Sequence, residues 1–130
     1  MSNQFQEGQQ FLVHLVSSPK KAKLSPGPMR IHLQNMKFSV TSGVPPVLVH
    51  SWDLVDLRRY GSVEGDRFCF EGGTRCGKGE GLHVFRVDNA EDIQISFDLA
   101  SKGKLEQTRA RHGHSSKLKL FHLPHLPLKL

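Results

Sequence analysis

Apolar residues recur at every second position through most of the chain up to Val87, the spacing of strands with one face buried. Phe11-Leu12-Val13-His14-Leu15-Val16 is an apolar run of strand length. Met29-Arg30-Ile31-His32-Leu33 and Lys37-Phe38-Ser39-Val40 alternate strictly. Pro45-Pro46 cannot donate to a ladder and predicts a break before Val47-Leu48-Val49-His50. From Trp52 the alternation resumes, with Val55 and Leu57 predicted on one side and Asp56 and Arg58 on the other. Arg59 is predicted to point away from Arg58 and to be structural. Phe68 with Phe70, and Phe85 with Val87, mark two further strands, separated by the glycine-rich Gly72–Gly81 segment. The period changes after Val87. Asp88-Asn89 suit a helix N-cap, Glu91 and Asp92 suit the positive first turn, and Ile93, Phe97 and Ala100 share one helical face. Lys102 and then Gly103 fit the last turn and its cap, predicting one amphipathic helix over 90–102. The expected fold class is mainly β with one C-terminal helix.

Composition narrows the class. A chain of 130 residues carries at most one domain with a modest core. No apolar run approaches membrane-spanning length, and the polar start MSNQFQEGQQ has no signal pattern, so a cytoplasmic protein is expected. The pI of about 9.6 suggests nucleic acid until the charges are located. Residues 1–100 hold 11 Lys/Arg and 11 Asp/Glu, while residues 101–130 hold 7 Lys/Arg against Glu106 alone. The excess charge is therefore a property of the tail, and no nucleic-acid partner is expected. The predicted organisation is a flexible lead-in at 1–9, a domain at 10–103 and a basic Pro/His/Leu-containing tail at 104–130 without a fold of its own. Within the tail, Pro124-His125-Leu126-Pro127-Leu128-Lys129 fits a P-x-x-P-x-K ligand for an SH3 domain, and its charge would allow contact with acidic membrane.

Candidate chemistry is mostly removed by context. Gly72-Gly73-Thr74-Arg75-Cys76-Gly77-Lys78 satisfies G-x-x-x-x-G-K, but Gly79 stands where a nucleotide loop needs a hydroxyl, and Leu82-His83-Val84-Phe85 reads as strand rather than helix. No nucleophile elbow or paired carboxylates appear, so no enzyme is expected. Cys69 and Cys76 have neither disulfide-framework nor zinc spacing, and neither a metal nor a cofactor is called for. Two arginines remain. Arg58 lies on the polar side of a strand and Arg75 among glycines, and two guanidinium forks aimed at one point suit a phosphate dianion.

The residues around them form a longer pattern: Trp52-x-Leu54-x-x-Leu57-Arg58-Arg59-Tyr60-Gly61, then Phe68-x-Phe70-Glu71-Gly72-Gly73-Thr74-Arg75-Cys76-Gly77. It resembles the phosphotyrosine-binding (PTB) domain of insulin-receptor-substrate type. Within that group it is most similar to the downstream-of-tyrosine-kinase (Dok) docking proteins, nearest the branch that activates the muscle receptor kinase. The strict match covers Trp52 to Gly81, with a looser one through Glu91, Ile93, Phe97, Asp98 and Gly103. The resemblance implies a PH-like, seven-stranded antiparallel β-sandwich capped by the helix. It also implies an adaptor that takes an Asn-Pro-x-phosphotyrosine segment of a receptor tyrosine kinase, the insulin receptor type included, as an added strand. By position, Arg58 and Arg75 would be the phosphate ligands and Thr74 and Gly77 the supporting turn. Asp56, Leu57 and Phe97 would line the peptide groove. Recruitment to the inner face of the plasma membrane would follow. The alternative on the same fold is a phosphate-independent scaffold for peptide or acidic lipid. One departure concerns the Ser62–Arg67 turn, which reads about one residue longer than in close relatives and could displace Arg75 from Arg58.

Overall fold

The computed structural model describes residues 8–105, in which seven strands form one antiparallel sheet closed by a helix. In chain order the strands are β1 (Gln9–Ser17), β2 (Gly27–Gln34), β3 (Lys37–Ser42), β4 (Val47–Asp53), β5 (Leu57–Val63), β6 (Arg67–Gly72) and β7 (Gly81–Arg86), followed by α1 (Ala90–Ser101). The order across the sheet is β4-β3-β2-β1-β7-β6-β5, so a four-strand meander and a three-strand meander are joined by the β1–β7 pair. Strands β4 and β5 are its two termini. The sheet folds over on itself: Phe38 of β3 meets Phe70 of β6 edge-on, with ring centroids 4.9 Å apart, although their strands are not neighbours. The expected PH-like sandwich with its C-terminal helix is the architecture found.

The alternation explains the core. Leu15, Ile31, Leu33, Phe38 and Val40 come from the first meander, Phe68, Phe70 and Phe85 from the second, and Ile93, Phe97 and Ala100 from α1. Asn89 caps α1 by accepting from the Asp92 amide at 3.3 Å, and Gly103 follows the helix with φ of +73°. The amphipathic helix expected over 90–102 is present, but its polar positions past the first turn are covered as well. Gln94, Ser96 and Asp98 are buried, and each is hydrogen-bonded to a strand: Gln94 to Ser62, Ser96 to Gln9 and Asp98 to Tyr60. The periodicity identifies the face turned to the core but cannot show that the opposite positions are also covered.

Two other expectations need correction. The strand predicted to run through Trp52 to Arg58 is interrupted by a 3-10 turn at Leu54–Asp56, and Val47–His50 is continuous with Trp52 in β4. Here the chain leaves one terminal strand to begin the other, and Leu54 is drawn inward as its amide donates to the Met36 carbonyl at 2.9 Å. Val55 consequently faces outward, 76 % exposed, not toward the core with Leu57. At the other end, packing continues past Lys104: Leu105 is buried, and its amide donates to Asn35 Oδ1 at 2.8 Å. The tail readings, including the SH3-ligand pattern and membrane contact, lie outside the described residues.

Candidate functional site

Arg58 owes its position to a bulge. Leu57 pairs with Gly72 and Arg59 with Glu71, so two residues of β5 span one step of β6 and Arg58 is the extra one. The Gly73 amide donates to the Asp56 carbonyl at 2.9 Å, stitching the chain before β5 to the chain after β6. A Cβ on Gly73 would stand 2.9 Å from that carbonyl, so only glycine allows the approach, which also lays the turn along the stem of Arg58. The result is an open pocket of about 490 Å³ lined by residues 55–58 and 73–75.

Both candidate arginines line this pocket, with Asp56, Leu57 and Thr74. Gly77 does not. It shapes the turn with φ of 58° and ψ of −123°, a combination that belongs to glycine, and borders a neighbouring cavity of about 470 Å³ that Arg75 and Asp56 also line. Phe97 is the misplaced groove residue. It is wholly buried among Phe38, Tyr60 and Phe68 and offers no surface to a ligand. The Ser62–Arg67 turn closes the end of the β5–β6 hairpin remote from Arg58, so its length does not set the spacing of the two arginines.

The Arg75 turn, Thr74–Gly79, is held from beneath by side chains to which the sequence pattern gives no such role. Trp52 Nε1 donates to the Gly79 carbonyl at 3.0 Å, His83 Nε2 reaches the same oxygen at 3.0 Å, and His50 Nε2 lies 3.1 Å from the Cys76 carbonyl. A carbonyl only accepts, so both histidines must carry a proton on Nε2. His83 was in principle legible: it shares the phase of Phe85 and Val87 in a buried strand, where a polar ring needs a partner. Burial pushes both thiols up, Cys69 to about 11, so neither is poised as a nucleophile.

Burial also holds His83 below its ordinary value of 6.5, and the charge of His50 adds to this, while the bond to the Gly79 carbonyl opposes it. The unfolded chain therefore takes up the proton more readily. The stabilising contribution is complete above the unfolded value and is lost as pH falls below it. His32 is lowered in the same direction, by burial and by Arg30. The melting temperature is expected to fall between pH 7.5 and 5.5, and His83→Gln, which can still donate to Gly79, should flatten that slope in a thermal melt series. An unchanged slope would remove His83 from the account.

Electrostatically the pocket is cationic with acidic neighbours. Glu71 lies 2.8 Å from Arg59 Nε and 3.4 Å from Arg58 Nη1. Lys21, on the turn between β1 and β2, reaches Glu80 at 2.9 Å, and this bond and charge hold the Glu80 carboxyl below its ordinary range, with a smaller contribution from Arg58. Among the described residues no His/Cys/Asp/Glu cluster suits a metal ion, and no helix is long and apolar enough to cross a membrane.

The sandwich is PH-like, with two arginines between a terminal strand and a glycine turn, and the family model for the PTB domain of IRS-1 type matches residues 11–102. The chain belongs to that family. It is similar to Protein Dok-7 of Takifugu rubripes, 43 % identical over 91 residues, covering 70 % of this chain and 18 % of the relative. Protein Dok-7 of Homo sapiens is 45 % identical over 84 residues, covering 65 % of this chain and 16 % of the relative. Fibroblast growth factor receptor substrate 3 of Mus musculus is 45 % identical over 82 residues, 58 % of this chain and 16 % of the relative. The chain thus spans less than a fifth of the length of these relatives.

Proposed function

We propose that the chain is the receptor-reading module of a cytoplasmic signalling adaptor. It binds an Asn-Pro-x-phosphotyrosine segment of a receptor tyrosine kinase at the inner face of the plasma membrane and performs no catalysis itself. The observation that carries this is the convergence of Arg58 and Arg75 on one open pocket at the start of β5, a terminal strand. The peptide would lie as an added strand beside β5, taking generic affinity from main-chain hydrogen bonds, while the phosphate supplies the switch.

The far wall of that groove is α1, held beside β5 by Tyr60 Oη donating to Asp98 at 2.6 Å and by Gln94 Oε1 accepting from the Ser62 amide at 2.7 Å. Burial, reinforced by the bond to Asp98, pushes the Tyr60 phenol upward, so it stays a neutral donor. Because Gln94 occupies the Ser62 amide, the added strand would run along residues 57–61 and leave β5 there. Asp56 and Leu57 would then flank the entry, and Thr74 would present Arg75.

Calorimetric titration with one Asn-Pro-x-phosphotyrosine peptide and its unphosphorylated twin tests the reading. The phosphorylated form is expected to bind with micromolar affinity, at least ~30-fold tighter than its twin, the scale of charge-assisted hydrogen bonds. Equal affinities would instead favour the phosphate-independent scaffold on the same fold.

A further inference from the structure

The bulge in β5 has a second effect: it turns two consecutive arginines onto one carboxylate. Glu71, directly opposite Arg59 on β6, is three-quarters or more withdrawn from solvent, its side chain 19 % exposed. Arg59 takes it through Nε at 2.8 Å, a full charge-assisted contact. Arg58 touches it only through Nη1 at 3.4 Å, at the long limit of a hydrogen bond, and its side chain remains 49 % exposed. The division is unequal, and it leaves most of the Arg58 fork facing the pocket.

We propose that Arg59 is a positioning residue of the phosphate site: by occupying Glu71, it keeps the Arg58 fork available to an incoming phosphate. This rests on the phosphotyrosine reading above and deepens it. With Arg59 present, a phosphate dianion displaces only the long Arg58–Glu71 contact, and Glu71 keeps its better partner. Without Arg59, Glu71 is a partly buried anion whose nearest cation is Arg58, because an unpaired charge at that depth is costly. The carboxylate and the phosphate then compete for one guanidinium. Arg59 would thus set the strength of phosphate binding without touching the ligand. Its place one residue from the ligand arginine follows from the bulge, since regular alternation would have sent the two side chains to opposite faces.

A double-mutant cycle separates this role from the general effect of removing a positive charge. Arg59→Met keeps the apolar stem and removes the partner of Glu71; Glu71→Gln removes the competing anion. Affinity for the phosphopeptide is measured by calorimetry for wild type, R59M, E71Q and the pair, with a melting temperature for each. R59M is expected to weaken binding ~5–10-fold alone but less than ~2-fold in the E71Q background, a coupling of the size contacting residues show. Arg59→Lys, which can still satisfy Glu71, should stay close to wild type and serves as the second variant if R59M folds poorly. A purely structural role would lower the melting temperature and leave no such coupling. Equal losses in the two backgrounds, or none in either, would overturn the proposal. If the wild type itself fails to distinguish the phosphorylated peptide from its twin, the phosphotyrosine reading fails first, and the cycle has shown which of the two is wrong.

Discussion

Replacing Arg58 and Arg75 together by alanine is expected to abolish measurable binding of an Asn-Pro-x-phosphotyrosine peptide while leaving the domain folded. Each arginine would contribute hydrogen bonds to a charged group, worth about 1.5–3 kcal/mol apiece, so the double variant should lose on the order of 3–6 kcal/mol, a factor of roughly 100 to 20,000. A micromolar ligand then falls below detection. Neither side chain is buried, and Arg58 gives up only its 3.4 Å contact with Glu71, so the melting temperature should move by no more than a few degrees, as for surface substitutions generally. The single variants carry more information than the double. If both forks grip one phosphate, their effects should be non-additive, and lysine at either position should restore only part of the loss, because an ammonium cannot match the bidentate fork. Full binding by the double variant would remove both residues from the site.

Much of this site can be read in the sequence, for reasons specific to its residues. Trp52, Phe68, Phe70 and Phe85 announce strands by phase, and the glycines from Gly72 to Gly81 announce a tight turn between two of them. What the pattern misses is local geometry that breaks a period. The bulge at Arg58 leaves no mark on the alternation, because adding one residue to one strand of a pair looks like any other strand residue until its partner is known. For the same reason Arg59 reads as facing away, whereas in the fold it shares a carboxylate with its neighbour. Val55 fails differently: the 3-10 turn Leu54–Asp56 replaces a two-residue period with a three-residue one over a single turn, too short to detect. The support beneath Arg75 is legible only in part. His83 sits at a core phase in β7, but its bond to Gly79 depends on the path of the turn that precedes it.

The misplacement of Phe97 leads to a second large expected effect, this one on stability. Phe97 is spaced correctly from Ile93 to face the sheet, but facing the sheet here means complete burial, with its ring centroid 4.9 Å from Phe38, 5.5 Å from Tyr60 and 4.8 Å from Phe68. Its ring touches side chains of both meanders, Phe38 from the first and Tyr60 and Phe68 from the second. Phe97→Ala should cost about 3–5 kcal/mol, from the lost transfer of the ring and the cavity left among neighbours that belong to different strands. Against a total of about 5–15 kcal/mol for a domain, that is a large fraction. At roughly 4–8 °C per kcal/mol for a domain of this size, the melting temperature should drop by at least ~12 °C. Phe97→Leu retains most of the volume and should cost far less, on the order of 1–1.5 kcal/mol. Binding should also weaken in Phe97→Ala, but by a different route from Arg58→Ala with Arg75→Ala: α1 loosens, Tyr60–Asp98 and Ser62–Gln94 no longer fix it beside β5, and the groove loses its wall. Thermal denaturation distinguishes the two routes, since the arginine variant loses ligand with a melting temperature within a few degrees of wild type and the Phe97 variant loses both together. A Phe97→Ala protein that melts within a few degrees of wild type would show that α1 does not depend on this ring, and the groove would need another explanation for its rigidity.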